Sequence, residues 1–245
     1  MELNPAQWLH LVLRWFHVMA GISWLGGSLY LLWLARIFGN PERSTRGEVG
    51  EPWIVDLSGS LLVDRLDSNK ALQPKTHVWF KRETTLTWVS GMVLLAAGSF
   101  SGAFFDAPGR EWTEAAIGSA LALLLFALGW WCYDGLWSSR LGNKPTIAGC
   151  VSIGLLSLVA WGLSHYVSGR LLFVQTGALL GSIMALNVWT RVLPGLVSMS
   201  TARLAGASPD PELVRRAYSR TVHNSYLMFP TVVLMLSNHF PLVYG

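Results

Sequence analysis

Charged residues are scarce in this chain. Asp, Glu, Lys and Arg together make up 13% of its 245 residues, which is about half the usual share in a soluble domain. Apolar and aromatic residues make up 52%. This balance disfavours a soluble globular domain, and it predicts a protein whose main partner is the lipid bilayer.

Cysteine is also nearly absent. Only Cys132 and Cys150 occur, and the sequence contains neither CxxC nor CxxCH. These absences exclude a disulfide framework, a zinc site built from several cysteines and a c-type haem attached within this chain. The net charge is only +4, and the basic residues lie in segments between apolar runs rather than along one face. We therefore expect no nucleic acid as a partner.

Long apolar runs dominate what is present. A helix that spans a bilayer needs roughly 20 mostly apolar residues, and six segments of the chain qualify. The sequence therefore predicts an all-α, polytopic membrane bundle of about six transmembrane helices, forming a single domain over residues 1–245. The predicted spans are 8–38, 84–105, 114–137, 145–166, 171–193 and 222–242.

Basic residues are distributed unequally between the two sides of these spans. All but three of the 18 Lys and Arg residues fall on one side, and the exceptions are Arg14, Arg110 and Arg170. The positive-inside rule places the basic side in the cytoplasm. The sequence therefore predicts cytoplasmic loops at 39–83 and 194–221, both termini in the periplasm, and a multi-pass protein of the bacterial inner (plasma) membrane.

The two long loops carry signals of local structure. The stretch from Trp53 to Gly59 alternates weakly between apolar and polar residues, which indicates a short β-hairpin. The sequence Ser208-Pro-Asp-Pro-Glu212 is typical of the start of a helix. We expect a short surface helix there, running to Tyr218 and separate from the last span.

The six histidines divide by their predicted depth. Four lie toward the outer ends of the spans: His10, His17, His165 and His239. Two lie toward the cytoplasm: His77 and His223. Neutral imidazole is an axial ligand of haem iron, and helical bundles build such sites from facing helices. The outer group therefore predicts ligands for haem b. The alternative is that these histidines are interfacial residues at helix ends.

Polar residues also gather at the predicted cytoplasmic ends of the spans. They are Lys81, Glu83, Asp134, Asn187, Arg191 and Asn224. Such a set can bind a planar, anionic small molecule, with a guanidinium supplying a fork of donors and amides supplying further hydrogen bonds. The alternative is that positive charges anchor the helix ends. It accounts for Lys81 and Arg191, but it explains Asp134 and the amides Asn187 and Asn224 poorly.

Several segments resemble the bacterial membrane-bound urate oxidase family. The first runs from Leu11 to Tyr30 and reads LVLRWFHVMAGISWLGGSLY. The others are His77-Val-Trp-Phe-Lys-Arg-Glu with Thr87-Trp-Val-Ser-Gly91, GSIMALNVW from Gly181 with Pro194-Gly195, HNSYLMFP from His223, and MLSNHFP from Met235. They occur in order and are spread over nearly the whole chain.

This resemblance implies a function. Members of the family have a multi-helix membrane domain followed by a C-terminal c-type cytochrome domain, and they oxidise urate to 5-hydroxyisourate with electrons leaving through haem rather than to dioxygen. His77 and His223 are then the candidate bases for removing a urate proton. The sequence contains no CxxCH, so the resemblance covers the family's membrane domain and not its cytochrome domain. A c-type cytochrome or another separate electron acceptor is the expected partner.

Two other functions remain open at this stage. The segment Trp53-Ile-Val-Asp-Leu-Ser-Gly59 lacks a histidine that the family has there, which favours a non-catalytic, cytochrome b-like electron-transfer subunit. In a transporter, Asp134, Asn187 and Arg191 could line a substrate path. The sequence shows no pair of broken helices of the kind that transporters often have.

Overall fold

The structure is a computed structural model that describes residues 5–38, 53–56, 59–62, 75–100, 112–205, 207–237 and 239–244. Helices predominate among these residues: α1 (Pro5–Phe38), α2 (Lys75–Phe100), α3 (Trp112–Ser138), α4 (Pro145–Ser164), α5 (Gly169–Asn187), α6 (Leu193–Leu204), α7 (Pro211–Ser237) and α8 (Pro241–Tyr244). A 3₁₀ turn (Arg140–Asn143) joins α3 to α4, and a π-helical turn (Val188–Val192) joins α5 to α6.

The predicted hairpin is confirmed. Strand β1 (Trp53–Asp56) pairs in antiparallel fashion with β2 (Gly59–Leu62), with Trp53 opposite Leu62 and Asp56 opposite Gly59. The chain is thus helical except for one short two-stranded element among its described residues.

A long helix occupies each of the six predicted spans, but several ends differ. Helix α2 begins at Lys75, inside the predicted loop 39–83, and α7 begins at Pro211, inside the predicted loop 194–221. Helix α7 therefore fuses the predicted surface helix with the last span. Asp210 caps its start, because Asp210 Oδ1 accepts hydrogen bonds from the backbone N–H groups of Glu212 (2.9 Å) and Leu213 (3.4 Å).

The fifth predicted span also continues beyond its expected end at residue 193. Pro194 lacks an N–H group, and its ring would clash with a carbonyl one turn earlier in a regular helix. The π turn just before Pro194 widens the hydrogen-bond ladder at that point. The chain therefore stays helical through α6 to Leu204.

Three helical segments among the described residues are long and apolar enough to cross a membrane: Ala116–Ser138, Pro145–Ser164 and Gly169–Met199. Only 11% and 6% of the first two are buried, against 72% of the third, so α5 is the central helix and α3 and α4 expose apolar surface. Trp131 is 68% exposed and Trp161 64%. A surface this apolar suits lipid rather than water. The chain is a helical membrane protein.

Close packing around α5 positions the inner side chains. Phe126, Leu179 and Leu180 lie in one buried apolar cluster, and Trp24 and Val188 lie in another. Gly129 of α3 lets that helix approach α5, because a Cβ there would lie 2.5 Å from Leu179 Cδ1. The C-terminal ends of α3 and α5 therefore meet the first half of α7.

Candidate functional site

Asp134, near the C-terminal end of α3, is the centre of a buried ionic cluster. Its Oδ1 accepts hydrogen bonds from Arg191 Nε (3.1 Å) and Arg220 Nη2 (2.9 Å), and its Oδ2 accepts one from Arg191 Nη2. Arg220 Nη2 also lies 3.4 Å from Ser138 Oγ. Asp134 and Arg220 are both buried, and charges in such a place require partners. The single carboxylate of Asp134 is thus the ionic partner of two guanidiniums.

A chain of neutral hydrogen bonds runs beside these charges. The Tyr133 hydroxyl lies 2.7 Å from Nδ1 of His223 and accepts a hydrogen bond from Asn187 Nδ2 (3.3 Å). Asn187 Nδ2 also donates to Asn224 Oδ1 (3.0 Å), and Asn224 Nδ2 donates to the Met184 carbonyl (2.9 Å). If His223 donates its Nδ1–H to Tyr133, the Nε2 lone pair is free to take a proton.

Aromatic contacts join the two halves into one arrangement. The guanidinium of Arg220 lies 5.0 Å from the centroid of the Tyr133 ring, within cation–π range. The rings of Trp137 and His223 lie 4.0 Å apart, and Trp137 Nε1 donates to Ser152 Oγ of α4 (3.1 Å). We call these residues the Asp134 cluster: Tyr133, Asp134, Trp137, Ser138, Asn187, Arg191, Arg220, His223 and Asn224.

Asn187 holds an unused acceptor in the middle of the Asp134 cluster. Its side chain is fully buried, and its Oδ1 has no hydrogen-bond partner among the described residues. Burying an acceptor in this state costs about 1–3 kcal/mol. A ligand that presents an N–H group to Oδ1 would recover that loss. The Asp134 cluster thus combines an unsatisfied acceptor, guanidinium donors and an imidazole.

The structure gathers Asp134, Asn187, Arg191, His223 and Asn224, all of which the sequence suggested, whereas Lys81 and Glu83 lie on α2 and, within the described part of the chain, form no hydrogen bond with these five residues. Lys81 is exposed on α2, and Glu83 is buried against α1, where Ser23 Oγ donates to Glu83 Oε1 at 2.6 Å. His77 lies in the first turn of α2, and its side chain lies outside the described part of the structure.

Among the outer histidines, His17 is held in place by hydrogen bonds at one ring nitrogen. Its Nδ1 lies 3.0 Å from the Thr87 carbonyl and 3.0 Å from Ser90 Oγ. An imidazole that donates Nδ1–H to a carbonyl keeps the Nε2 lone pair for a metal. Gly91 makes room for the ring, because a Cβ there would lie 2.9 Å from His17 Cε1. His17 therefore fits the predicted role in holding haem.

The other three outer histidines are less enclosed. His10 is half-buried on α1, His239 is exposed after α7, and His165 is exposed at the end of α4, where its ring meets that of Trp161 edge-on. Within the described ranges, His, Cys, Asp and Glu form no group of three or more that could hold a metal ion.

Sequence reasoning missed Tyr133, Trp137, Ser138 and Arg220. The predicted loop 194–221 includes Arg220, because the charge of this residue interrupts the last apolar run. A usable signal was present: Arg220, His223 and Asn224 stand at positions i, i+3 and i+4, which share one face if the helix begins upstream.

Comparison with known proteins identifies a family. A family model described as Urate oxidase N-terminal matches residues 4–245, nearly the whole chain. No curated protein and no solved structure matches.

Proposed function

The chain belongs to the urate oxidase N-terminal family, and from that premise we propose that it is a membrane oxidoreductase of the urate oxidase type. Its substrate is urate or a similar small, planar purine anion. In the balanced reaction, urate and water give 5-hydroxyisourate, two protons and two electrons. The Asp134 cluster is the proposed substrate site.

The buried, unpartnered Oδ1 of Asn187 is the observation that carries this proposal. Purines of this class present N–H groups and carbonyl oxygens in one plane. An N–H of the substrate would satisfy Asn187 Oδ1, and carbonyl oxygens would accept from the guanidiniums of Arg191 and Arg220. The cluster's second guanidinium leaves one positive charge in excess, which suits an anionic substrate.

His223 is the proposed general base of the reaction. Its Nε2 would remove a substrate proton, and the Tyr133 hydroxyl at Nδ1 would hold the ring in the required tautomer and orientation. His77 remains the second predicted base. Glu83 and Lys81 belong to the predicted substrate-binding set, but their positions on α2 support no direct role at Asn187.

Haem b is the proposed cofactor, and when bound it would accept the electrons from the substrate. His17 would hold it through Nε2, supported by the hydrogen bonds at Nδ1. His10, His165 and His239 are the other predicted haem ligands, and a c-type cytochrome or another separate acceptor would take the electrons onward.

We also propose six membrane spans with both termini in the periplasm of a bacterial cell, across its inner membrane. Three apolar helices and the long helices at the three other predicted spans support this arrangement. The concentration of Lys and Arg in the predicted loops 39–83 and 194–221 favours this direction.

An absorption spectrum recorded during anaerobic addition of urate tests the proposal. We expect the purified protein to show a haem band that shifts on addition of urate. Asn187→Leu should slow that reduction by about tenfold or more, because it removes the acceptor for the substrate N–H, without lowering haem content. Gln175→Leu is the matched control: its Oε1 is also buried and has no hydrogen-bond partner among the described residues, but Gln175 lies about three turns along α5 from Asn187. Equal effects of the two substitutions would contradict the proposed site.

A non-catalytic, cytochrome b-like subunit is the alternative function. The absence of a histidine between Trp53 and Gly59 favours it. It predicts haem that is reduced by a quinol or a protein partner and that does not respond to urate, so the same spectra separate the two functions.

A further inference from the structure

A cleft lies between the C-terminal end of α3 and the first turns of α7. It is lined by Trp137, Ser138, Glu212, Arg215, Arg216, Ser219 and Arg220. The space inside the cleft is about 30 Å³, and the cleft is partly open to solvent. That volume is far below the usual size of a ligand pocket, which excludes a large molecule and restricts the cleft to a single small ionic group at its opening.

Positive charge exceeds negative charge around this cleft. Glu212 accepts hydrogen bonds from Arg215 Nε and Nη2 (both 2.8 Å) and from Arg216 Nε (2.6 Å). Those two guanidiniums lower the pKa of Glu212 to about 2, so this carboxylate stays ionised. Asp134 is likewise shared between Arg191 and Arg220. The described residues in and beside the cleft thus set four guanidiniums against two carboxylates.

The cleft also contains hydrogen-bond donors that are not in use. Arg220 bonds only through Nη2, and Arg216 only through Nε. The other nitrogens of both groups, and the Ser219 hydroxyl, have no partner among the described residues. The side chain of Arg220 is only 5% exposed. A buried guanidinium with spare donors on the wall of a cavity is typical of an anion site.

We propose that this cleft binds a phosphate group, supplied by an anionic lipid headgroup or by soluble phosphate. Arg216 and Arg220 would donate to two of its oxygens, and Ser219 would donate to a third. When no substrate is bound beside Asp134, the excess of guanidinium would balance up to two negative charges. The site uses different donors from those proposed for the substrate, except Arg220, and its existence does not depend on the redox activity.

Measurement of phosphate bound to the purified protein tests the site. The protein is placed in nanodiscs of phosphatidylcholine with inorganic phosphate, and separately in nanodiscs that also contain phosphatidylglycerol. Binding is measured by phosphorus-31 NMR and native mass spectrometry. The double substitution R216Q and S219A should weaken binding by about tenfold or more, the loss expected for a charge-assisted hydrogen bond. R140Q, which removes an exposed arginine outside the cleft, should leave binding unchanged.

The two arms identify the source of the phosphate group. Retention of phosphatidylglycerol that inorganic phosphate cannot displace indicates a lipid headgroup, and saturable binding of inorganic phosphate indicates the soluble ion. No specific binding in either arm, or equal binding by the wild type and the double variant, would overturn the proposal. Circular dichroism checks that the double variant is folded, and R216K should bind more tightly than R216Q.

Discussion

Asp134 lies between two arginines with no second carboxylate in the described part of its cluster, so its charge supports both. Asp134→Asn would leave Arg191 and the buried Arg220 without an ionic partner. Breaking one side of a buried ion pair typically costs about 3–5 kcal/mol. We expect a marked fall in the midpoint of thermal unfolding in detergent.

Glu212→Gln is the control for that substitution. Glu212 also pairs with two arginines, but all three side chains are largely exposed, and exposed ion pairs contribute little. The midpoint of thermal unfolding of the Glu212→Gln variant should barely differ from that of the wild type. If both substitutions destabilise the protein equally, burial of the Asp134 cluster is not the source of its stability.

Tyr133 connects the imidazole of His223 to the amide of Asn187. Tyr133→Phe keeps the ring against Arg220 but removes the hydroxyl from both hydrogen bonds. Stability should fall by only about 1 kcal/mol, while the rate of urate-dependent haem reduction should fall at least tenfold because His223 is no longer held in one tautomer. Tyr226→Phe, at an exposed position of α7, should change neither quantity.

Much of this cluster could be predicted from single residues. Asp134, Asn187 and Asn224 stand out because polar side chains within apolar spans are costly and usually functional. Tyr133 and Arg220 could not be chosen in the same way. A tyrosine or an arginine near a helix end is ordinary. The hydrogen bonds between side chains of α3 and α7 show that both residues belong to the cluster, and only the spacing of Arg220 from His223 and Asn224 indicates this for Arg220 beforehand.

At the scale of elements, the approach of α6 to α7 depends on Gly195. A Cβ at that position would lie 2.4 Å from Ala217 Cβ and 2.9 Å from the Leu213 carbonyl. Gly195→Ala must therefore push the two helices apart, and we expect a loss of about 1–3 kcal/mol in thermal or denaturant unfolding. Gly154→Ala, on α4 with open space around it, should be neutral or slightly stabilising through helix propensity. The opposite order would show that the contact between α6 and α7 is loose.

Helix positions were predictable from apolar length, but their ends were not. Apolar runs stop at the first charged turn, so the last span was expected to begin at residue 222 rather than at Pro211. Glu212, Arg215 and Arg216 pair along the helix, and Asp210 caps it, so a charged segment stays helical. Pro194 likewise predicts the end of a helix, but the π turn before it allows the chain to continue as a helix beyond Pro194.

For the whole molecule, the direction of insertion is open to a labelling experiment. In a background with Cys132 and Cys150 replaced by Ser, Tyr166→Cys in the exposed turn between α4 and α5 should react with a membrane-impermeant thiol reagent in intact cells. Ser208→Cys, just before α7, should react only after the membrane is opened. The reverse pattern would contradict the proposed orientation and move the Asp134 cluster to the other face.

The protein class and the family could be predicted from the sequence. Low charge and long apolar runs predict a membrane bundle, and the segments that resemble the urate oxidase family are spread over nearly the whole chain. The sequence could not predict which histidines pair with each other, since the pairing depends on which helices pack together. Helix α1, which carries His17, packs against α2 and α7, whereas α4, which ends at His165, packs against α3 and α5.

Anaerobic titration of the purified, haem-containing protein with urate tests the central claim most directly. Haem reduction and loss of urate are followed together, with the product identified by mass. The proposal predicts two electrons delivered for each urate consumed, formation of 5-hydroxyisourate, and no requirement for dioxygen. Haem that stays oxidised while urate remains unchanged, in protein that a chemical reductant still reduces, would contradict it.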